Sequence, residues 1–225
     1  MTAAHDQLQQ AIQAGDANQL KALLKDDPAL ANASLTNGVS PVMLATYYGR
    51  PELAQILLQS GAEEDIYVAS ATGNVARVAE ILDRQPELLN AFAGDGHVPL
   101  GLAAFFGQAG VIRLLLDRGA DVNVSSRNAQ KVTPLHGAVS RGDLAISALL
   151  LDKGAQANAR QERGFTPIFS AAGTGNIELM ELLVRHGADI HAATDDGKTP
   201  YDIALERKQD KAAEWLKTRA AAHSA

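Results

Sequence analysis

A repeat with a period of about 33 residues is the feature that most restricts how this chain can fold. Residues 133–136 read Thr-Pro-Leu-His, and a Thr-Pro pair recurs one period later at Thr166 and two periods later at Thr199. Weaker copies, Val-Pro and Ser-Pro, begin at Val98 and Ser40. Because periods of about 20–50 residues are typical of stacked repeat proteins, this pattern predicts a solenoid.

Two further markers keep phase with the Thr-Pro pairs. An Ala and then a Gly follow most of them, as at Ala138 and Gly142, and a Gly-Ala pair then closes the unit, as at Gly154. Thr133 suits a helix N-cap and the proline after it suits the first helical position. Glycine readily adopts the left-handed backbone that ends a helix. Each unit is therefore expected to contain two helices.

The three markers together resemble the Thr-Pro-Leu-His-x-Ala-Ala-x-x-Gly signature of the ankyrin repeat family. The resemblance covers nearly the whole chain. It implies an all-α repeat solenoid of helix-turn-helix units, with β-hairpin-like turns connecting them. We expect one ankyrin-repeat domain over residues 1–225, made of seven units that we call units 1 to 7. Their expected ranges are about 3–34, 35–63, 64–91, 92–124, 125–159, 160–192 and 193–225.

Four units depart from the pattern. Unit 1 has no turn motif and unit 7 carries Lys208 where the others have Gly, so both are expected to be degenerate caps. Unit 3 has no Thr-Pro pair, and its helix glycine, Gly73, follows Gly49 by clearly less than one period. We expect a truncated turn there and a notch in the row of hairpins. Unit 5 has two extra residues within 125–131, which predicts a protruding hairpin tip.

The resemblance also implies which residues bind a partner. In ankyrin repeats, the two residues before the inner-helix Gly and the residue before the Thr-Pro pair face the concave surface. Of the ten aromatic residues in this chain, five occupy such positions, and aromatic residues and Arg dominate binding hot spots. The alternative, that single rings pack against neighbouring inner helices, stays open. The predicted partner-binding residues are Tyr47, Tyr48, His97, Phe105, Phe106, Arg141, Phe165 and Lys198.

Composition and motifs exclude other classes of site. The net charge of −6 argues against nucleic-acid binding, which needs a basic surface. The chain has no Cys, no phosphate-binding Gly-rich loop and no His-Glu-x-x-His motif, so no catalytic residue, cofactor or metal is expected. His136 stands at the motif histidine and is expected to be structural. The start of the sequence lacks the pattern of a secretory signal and no membrane span is expected, which predicts a cytoplasmic location.

These observations favour a non-catalytic protein–protein interaction module that binds an unidentified partner protein through its concave face and hairpin tips. A monomer is expected. The alternative is a self-assembling scaffold or homodimer formed through the same aromatic patch. A third hypothesis places a small-molecule site beside unit 3, near Asp65 and Tyr67. The charged residues near the hairpin tips, Asp95 among them, are interpreted as a solvated rim.

Overall fold

The computed structural model describes residues 3–35 and 38–222, and within these ranges the protein is all-helical, with no β-strand. The described residues form fourteen α-helices. In chain order they are α1 (Ala3–Ala14), α2 (Ala17–Asp26), α3 (Pro41–Tyr47), α4 (Pro51–Gln59), α5 (Ile66–Thr72), α6 (Val75–Arg84), α7 (Pro99–Phe106), α8 (Ala109–Asp117), α9 (Pro134–Ser140), α10 (Leu144–Asp152), α11 (Pro167–Thr174), α12 (Ile177–Arg185), α13 (Pro200–Glu206) and α14 (Asp210–Ala222). Short 3-10 helices at Pro28–Asn32 and Pro86–Asn90 follow α2 and α6.

The helices form pairs that stack in two layers. The odd-numbered helices, α1 to α13, pack successively on one another as an inner layer, and each packs on the even-numbered helix that follows it. This arrangement confirms the predicted all-α repeat solenoid. One helix pair falls in each of the seven expected ranges, while the division into a single domain with those boundaries stays a prediction. No helix in the described part of the chain is long and apolar enough to cross a membrane.

Glycine ends the inner helices, as the markers predict. Gly142 has φ +76° and Gly175 has φ +71°, a left-handed conformation that suits a residue without a Cβ. In unit 7 the same position is Lys208, which takes φ +58°. The backbone of the last unit therefore follows the repeat although its sequence does not.

The turns between units are closed by backbone hydrogen bonds and are joined into a row. In unit 4 the N–H of Ala93 donates to the carbonyl of His97 at 2.8 Å. Neighbouring hairpins are then linked, for example by the N–H of Arg127, which donates to the carbonyl of Gly96 at 2.8 Å. Equivalent links join units 5 and 6 and units 6 and 7 through Glu162–Gln130 and Asp195–Arg163.

Unit 3 has no hairpin, so the row is interrupted. Only residues 60–65 separate α4 from α5, and Asp65 directly caps α5 by accepting the N–H of Val68 at 2.8 Å. The hairpins of units 2 and 4 consequently face each other across a cavity of about 150 Å³. The predicted notch is confirmed.

Asparagine side chains that follow the outer helices connect successive units. The amide of Asn158 donates to the carbonyl of Gly187 at 2.7 Å and accepts the N–H of Asp189 at 2.8 Å. Asn123 and Asn32 make the same pair of bonds to the unit that follows them. We call each of these an asparagine clamp. The position that would clamp unit 2 to unit 3 is occupied by Asp65.

The buried side chains form two clusters that divide within unit 3. Val68 and Ala71 of α5 belong to the first cluster, with α1 to α4, whereas Ile66 and Ala69 belong to the second, with the units that follow. The junction between units 2 and 3 thus lacks a hairpin bond and an asparagine clamp, and the first cluster crosses it through Val68 and Ala71.

Candidate functional site

The predicted site residues lie at the ends of the inner helices and in the hairpins, and the structure brings three of the rings together. The ring centroids of Tyr47 and Phe106 are 5.5 Å apart, and those of Phe106 and Phe105 are 5.1 Å apart. Tyr47 belongs to unit 2 and both Phe residues to unit 4. We call these three side chains the aromatic patch.

The aromatic patch spans unit 3 because that unit has only small side chains at the end of its inner helix. Ala71 and Thr72 occupy the positions that hold Tyr47 and Tyr48 in unit 2 and the two Phe residues in unit 4. Rings from the two flanking units therefore meet over α5. The patch stays accessible, since Tyr47 is 36% exposed and Phe105 is 45% exposed.

A hydrogen bond across the notch fixes Tyr47. Its hydroxyl donates to Oδ2 of Asp95 at 2.7 Å, although the two residues are 48 positions apart in the sequence. Burial, and then the bond to Asp95, raise the pKa of Tyr47 far above its usual range, so the hydroxyl remains a neutral donor. Asp95 is half-buried and holds Tyr47, a contact that its interpretation as part of a solvated rim did not include.

The other predicted site residues lie apart from the patch or are already paired. Tyr48 is 48% exposed beside Tyr47, and the Phe165 ring packs on Phe169 with centroids 5.3 Å apart. The ammonium of Lys198 lies 2.7 Å from Glu206, and this hydrogen bond raises the pKa of Lys198. Of the five predicted rings, three are thus in contact with one another, and Tyr48 and Phe165 are not part of that cluster.

Arg141 and His97 border the groove beside the patch. The Arg141 guanidinium donates to the carbonyl of Phe105 at 3.4 Å, next to Gly107, and the His97 ring lies 3.2 Å from the Asn128 amide. A cavity of about 190 Å³ opens between the hairpins and the inner helices. Its apolar lining includes Tyr47, Leu102, Phe105 and Val132.

His136 lines the same groove but is held by its own unit. Its Nδ1 accepts the backbone N–H of Thr133 at 3.2 Å and lies 2.8 Å from the Thr133 hydroxyl. Burial lowers the pKa of His136 to about 4, so the ring is neutral near pH 7. The hydrogen bond to the Thr133 backbone is the contact expected of a structural histidine at this position. No group of three or more potential metal ligands occurs in residues 3–35 and 38–222.

Sequence reasoning missed Asp95 and the apolar floor provided by Leu102. The bond between Asp95 and Tyr47 depends on the absence of a third hairpin between them, which brings unit 4 within reach of unit 2. The truncation itself was visible in the sequence, but it does not indicate which side chains meet across the gap.

Family models and relatives agree with this architecture. The model for ankyrin repeats in three copies matches residues 66–161 and 135–224, and the model for a single ankyrin repeat matches residues 37–70. The chain is 37% identical over 101 residues to the Ankyrin repeat and SAM domain-containing protein 6 of Rattus norvegicus, covering 45% of this chain and 11% of the relative. It is 30% identical over 154 residues to the Ankyrin repeat and KH domain-containing protein mask-1 of Caenorhabditis elegans, covering 68% of this chain and 5% of the relative.

A third relative, the Target of rapamycin complex 2 subunit AVO2 of Saccharomyces cerevisiae, is 27% identical over 159 residues, covering 65% of this chain and 37% of the relative. The chain thus spans between 5% and 37% of the length of these three relatives. Ankyrin repeats indicate a protein–protein interaction module, and the family is generally a non-catalytic interaction scaffold. Since family models match most of its length, the chain belongs to the ankyrin repeat family.

Proposed function

We propose that this protein binds a partner protein through its concave face, with the aromatic patch as the main contact and the hairpin tips contributing to specificity. Binding would occur without catalysis and without a cofactor. A monomeric, cytoplasmic protein that binds neither nucleic acid nor membranes remains our expectation from the sequence.

The aromatic patch is the observation that carries this proposal. Tyr47, Phe105 and Phe106 form one contiguous apolar surface, and two of them are more than a third exposed. Aromatic side chains bury a large area at a small cost in side-chain entropy, and exposed apolar patches on monomers often mark interaction sites. The yeast relative is named as a subunit of a complex, which is compatible with a role in assembly.

The proposal is tested with two exposed side chains. In the double variant Phe105→Ala/Tyr48→Ala, we expect the affinity for the partner to fall by at least about tenfold, because a hot-spot truncation costs upward of about 1.4 kcal/mol. Partners are captured from native lysate with the wild-type protein and identified by mass spectrometry. The dissociation constant of the purified partner is then measured for both proteins by calorimetry.

Leu144→Ala is the matched control, since Leu144 is 38% exposed on the outer helix α10. This variant should retain the wild-type affinity, and all three proteins should have similar melting temperatures. A partner that binds the double variant as tightly as the wild type would contradict the proposal. A solution mass that doubles with concentration for the wild type, but not for Phe105→Ala/Tyr48→Ala, would assign the patch to a homodimer instead.

A further inference from the structure

Three adjoining cavities lie along the inner-helix ends and hairpins from unit 3 to unit 7, and we call them together the groove. Leu102 lines both the notch cavity and the cavity beside the aromatic patch. Ser140 and Ser170 line both that second cavity and a third cavity of about 340 Å³, which lies over α11 and α13. The three cavities are therefore neighbours along this face.

The end of the groove at unit 3 is acidic. Asp65 and Asp95 both line the notch cavity, and among the described residues no Lys or Arg does. Asp65 accepts the backbone N–H groups of Val68 and Tyr67, and Asp95 accepts the Tyr47 hydroxyl and the His97 N–H, so lone pairs on both carboxylates remain available. Burial, with smaller contributions from the charges of Glu63 and Asp95, raises the pKa of Asp65, and a cation placed there would relieve this repulsion.

The end of the groove at unit 7 is basic. Arg207 lines the third cavity, whose lining includes no Asp or Glu among the described residues. Among the described residues no carboxylate lies within ion-pair distance of Arg207, and the adjacent Glu206 is bound to Lys198 at 2.7 Å. Exposed Arg141 precedes it along the same row of helix ends. An exposed guanidinium of this kind matches a carboxylate in geometry and charge.

We propose that the groove binds one segment of a partner protein whose charges are ordered. A basic side chain of the segment lies at Asp65 and Asp95, apolar side chains cover the aromatic patch and Leu102, and an acidic side chain pairs with Arg207. This inference rests on the proposed function and adds the chemistry and orientation of the bound segment. Four helix-to-helix steps separate α5 from α13, which at ~10 Å each is spanned by about 12 extended residues.

Selection from displayed peptides tests the proposal with the full chain. A library of random peptides, each about 16 residues long to exceed that span, is selected on the wild type, on Arg207→Glu and on Asp65→Asn/Asp95→Asn. Asparagine keeps the helix cap at position 65 and an oxygen acceptor for Tyr47 at position 95. Arg113→Glu, on the outer helix α8, makes the same charge change as Arg207→Glu at an exposed site outside the groove.

The wild type and Arg113→Glu should enrich peptides with a basic and an acidic residue on opposite sides of an apolar stretch. The acidic residue should disappear from peptides selected on Arg207→Glu, and the basic residue from those selected on the double Asn variant. Synthetic copies of the wild-type peptides should bind each of these two variants about tenfold more weakly.

Two other outcomes would overturn the inference in distinguishable ways. Peptides that require Phe105 but bind all charge variants equally would refute the charge order and leave the proposed function standing. Peptides that bind Phe105→Ala as tightly as the wild type, or no enrichment at all, would refute both.

Discussion

The backbone at Lys208 has the left-handed conformation that glycine provides at the other inner-helix ends. A residue with a Cβ is disfavoured there by about 1–2 kcal/mol, because the Cβ approaches the following carbonyl oxygen. Lys208 carries φ +58°, and its side chain is exposed. The cost is therefore one of backbone conformation and not of lost packing.

Lys208→Gly is expected to raise the free energy of unfolding by about 1 kcal/mol, measured by urea denaturation. Lys208→Ala is the control, because it removes the same side-chain atoms but keeps a Cβ. It should be no more stable than the wild type. Equal stability of the Gly and Ala variants would show that the left-handed backbone is not strained.

His136 gives the protein a stability that depends on pH. Burial lowers its pKa from 6.5 to about 4, so the unfolded chain binds a proton more readily than the folded protein between these values. The stabilisation is complete above pH 6.5 and is lost as the pH falls towards 4, with a total of about 3 kcal/mol. His136→Gln should show a smaller loss of stability between pH 7.5 and 4.5 in urea unfolding experiments. An unchanged loss would contradict the pKa shift of this ring.

Among the elements, the asparagine clamps join units that are otherwise held mainly by apolar packing. Asn158 makes two hydrogen bonds to unit 6, whereas Asn90 makes one to unit 4, through its Oδ1 and the N–H of Asp121. Each hydrogen bond contributes about 1 kcal/mol net. The two residues thus provide a graded comparison within one molecule.

Asn158→Ala should lower the free energy of unfolding by about 2 kcal/mol and Asn90→Ala by about 1 kcal/mol. Urea denaturation followed by circular dichroism measures both. Asn18→Ala provides the baseline, because Asn18 is exposed on α2 and only its backbone N–H has a hydrogen bond in addition to those of the helix. Equal losses in the free energy of unfolding at positions 18, 90 and 158 would show that the asparagine clamps do not stabilise the protein.

The sequence was sufficient to predict the elements because their signals are local. The Thr-Pro pairs and glycines act within one helical turn, and the bond between Thr133 and His136 joins residues three positions apart. The aromatic patch was only partly predictable. The types of residue at its positions follow from the repeat, but the contact of Tyr47 with Phe106 depends on how closely units 2 and 4 approach over α5. Approach distances of this kind arise from packing, which no local signal encodes.

At the scale of the whole molecule, the junction between units 2 and 3 divides the stack. Because repeat proteins are held by interactions between neighbouring units, a junction with neither hairpin bond nor clamp is expected to open first. The Tyr47–Asp95 hydrogen bond crosses this junction. We therefore expect this hydrogen bond to stabilise units 1 and 2 more than units 4 to 7.

Tyr47→Phe should accelerate amide hydrogen exchange in α3 and α4 about fivefold, corresponding to about 1 kcal/mol, and leave α9 to α12 unchanged. Mass spectrometry of peptic fragments measures both regions. Tyr48→Phe is the matched control, since the Tyr48 hydroxyl makes no hydrogen bond in the described part of the chain. Equal acceleration along the whole chain would show that the stack opens as one cooperative unit.

The missing hairpin also leaves an uncovered edge inside the molecule. The hairpins of units 4 to 7 form a row joined by single backbone hydrogen bonds, and its first member, residues 93–97, has no backbone bond to a preceding hairpin among the described residues. Edges of this kind recruit strands from other chains and promote aggregation. Here the edge faces a cleft of about 150 Å³, bounded on the far side by unit 2. Since unit 2 occupies the far side of this cleft, a hairpin from another chain would have to displace unit 2 before it could pair with residues 93–97, which disfavours edge-to-edge association.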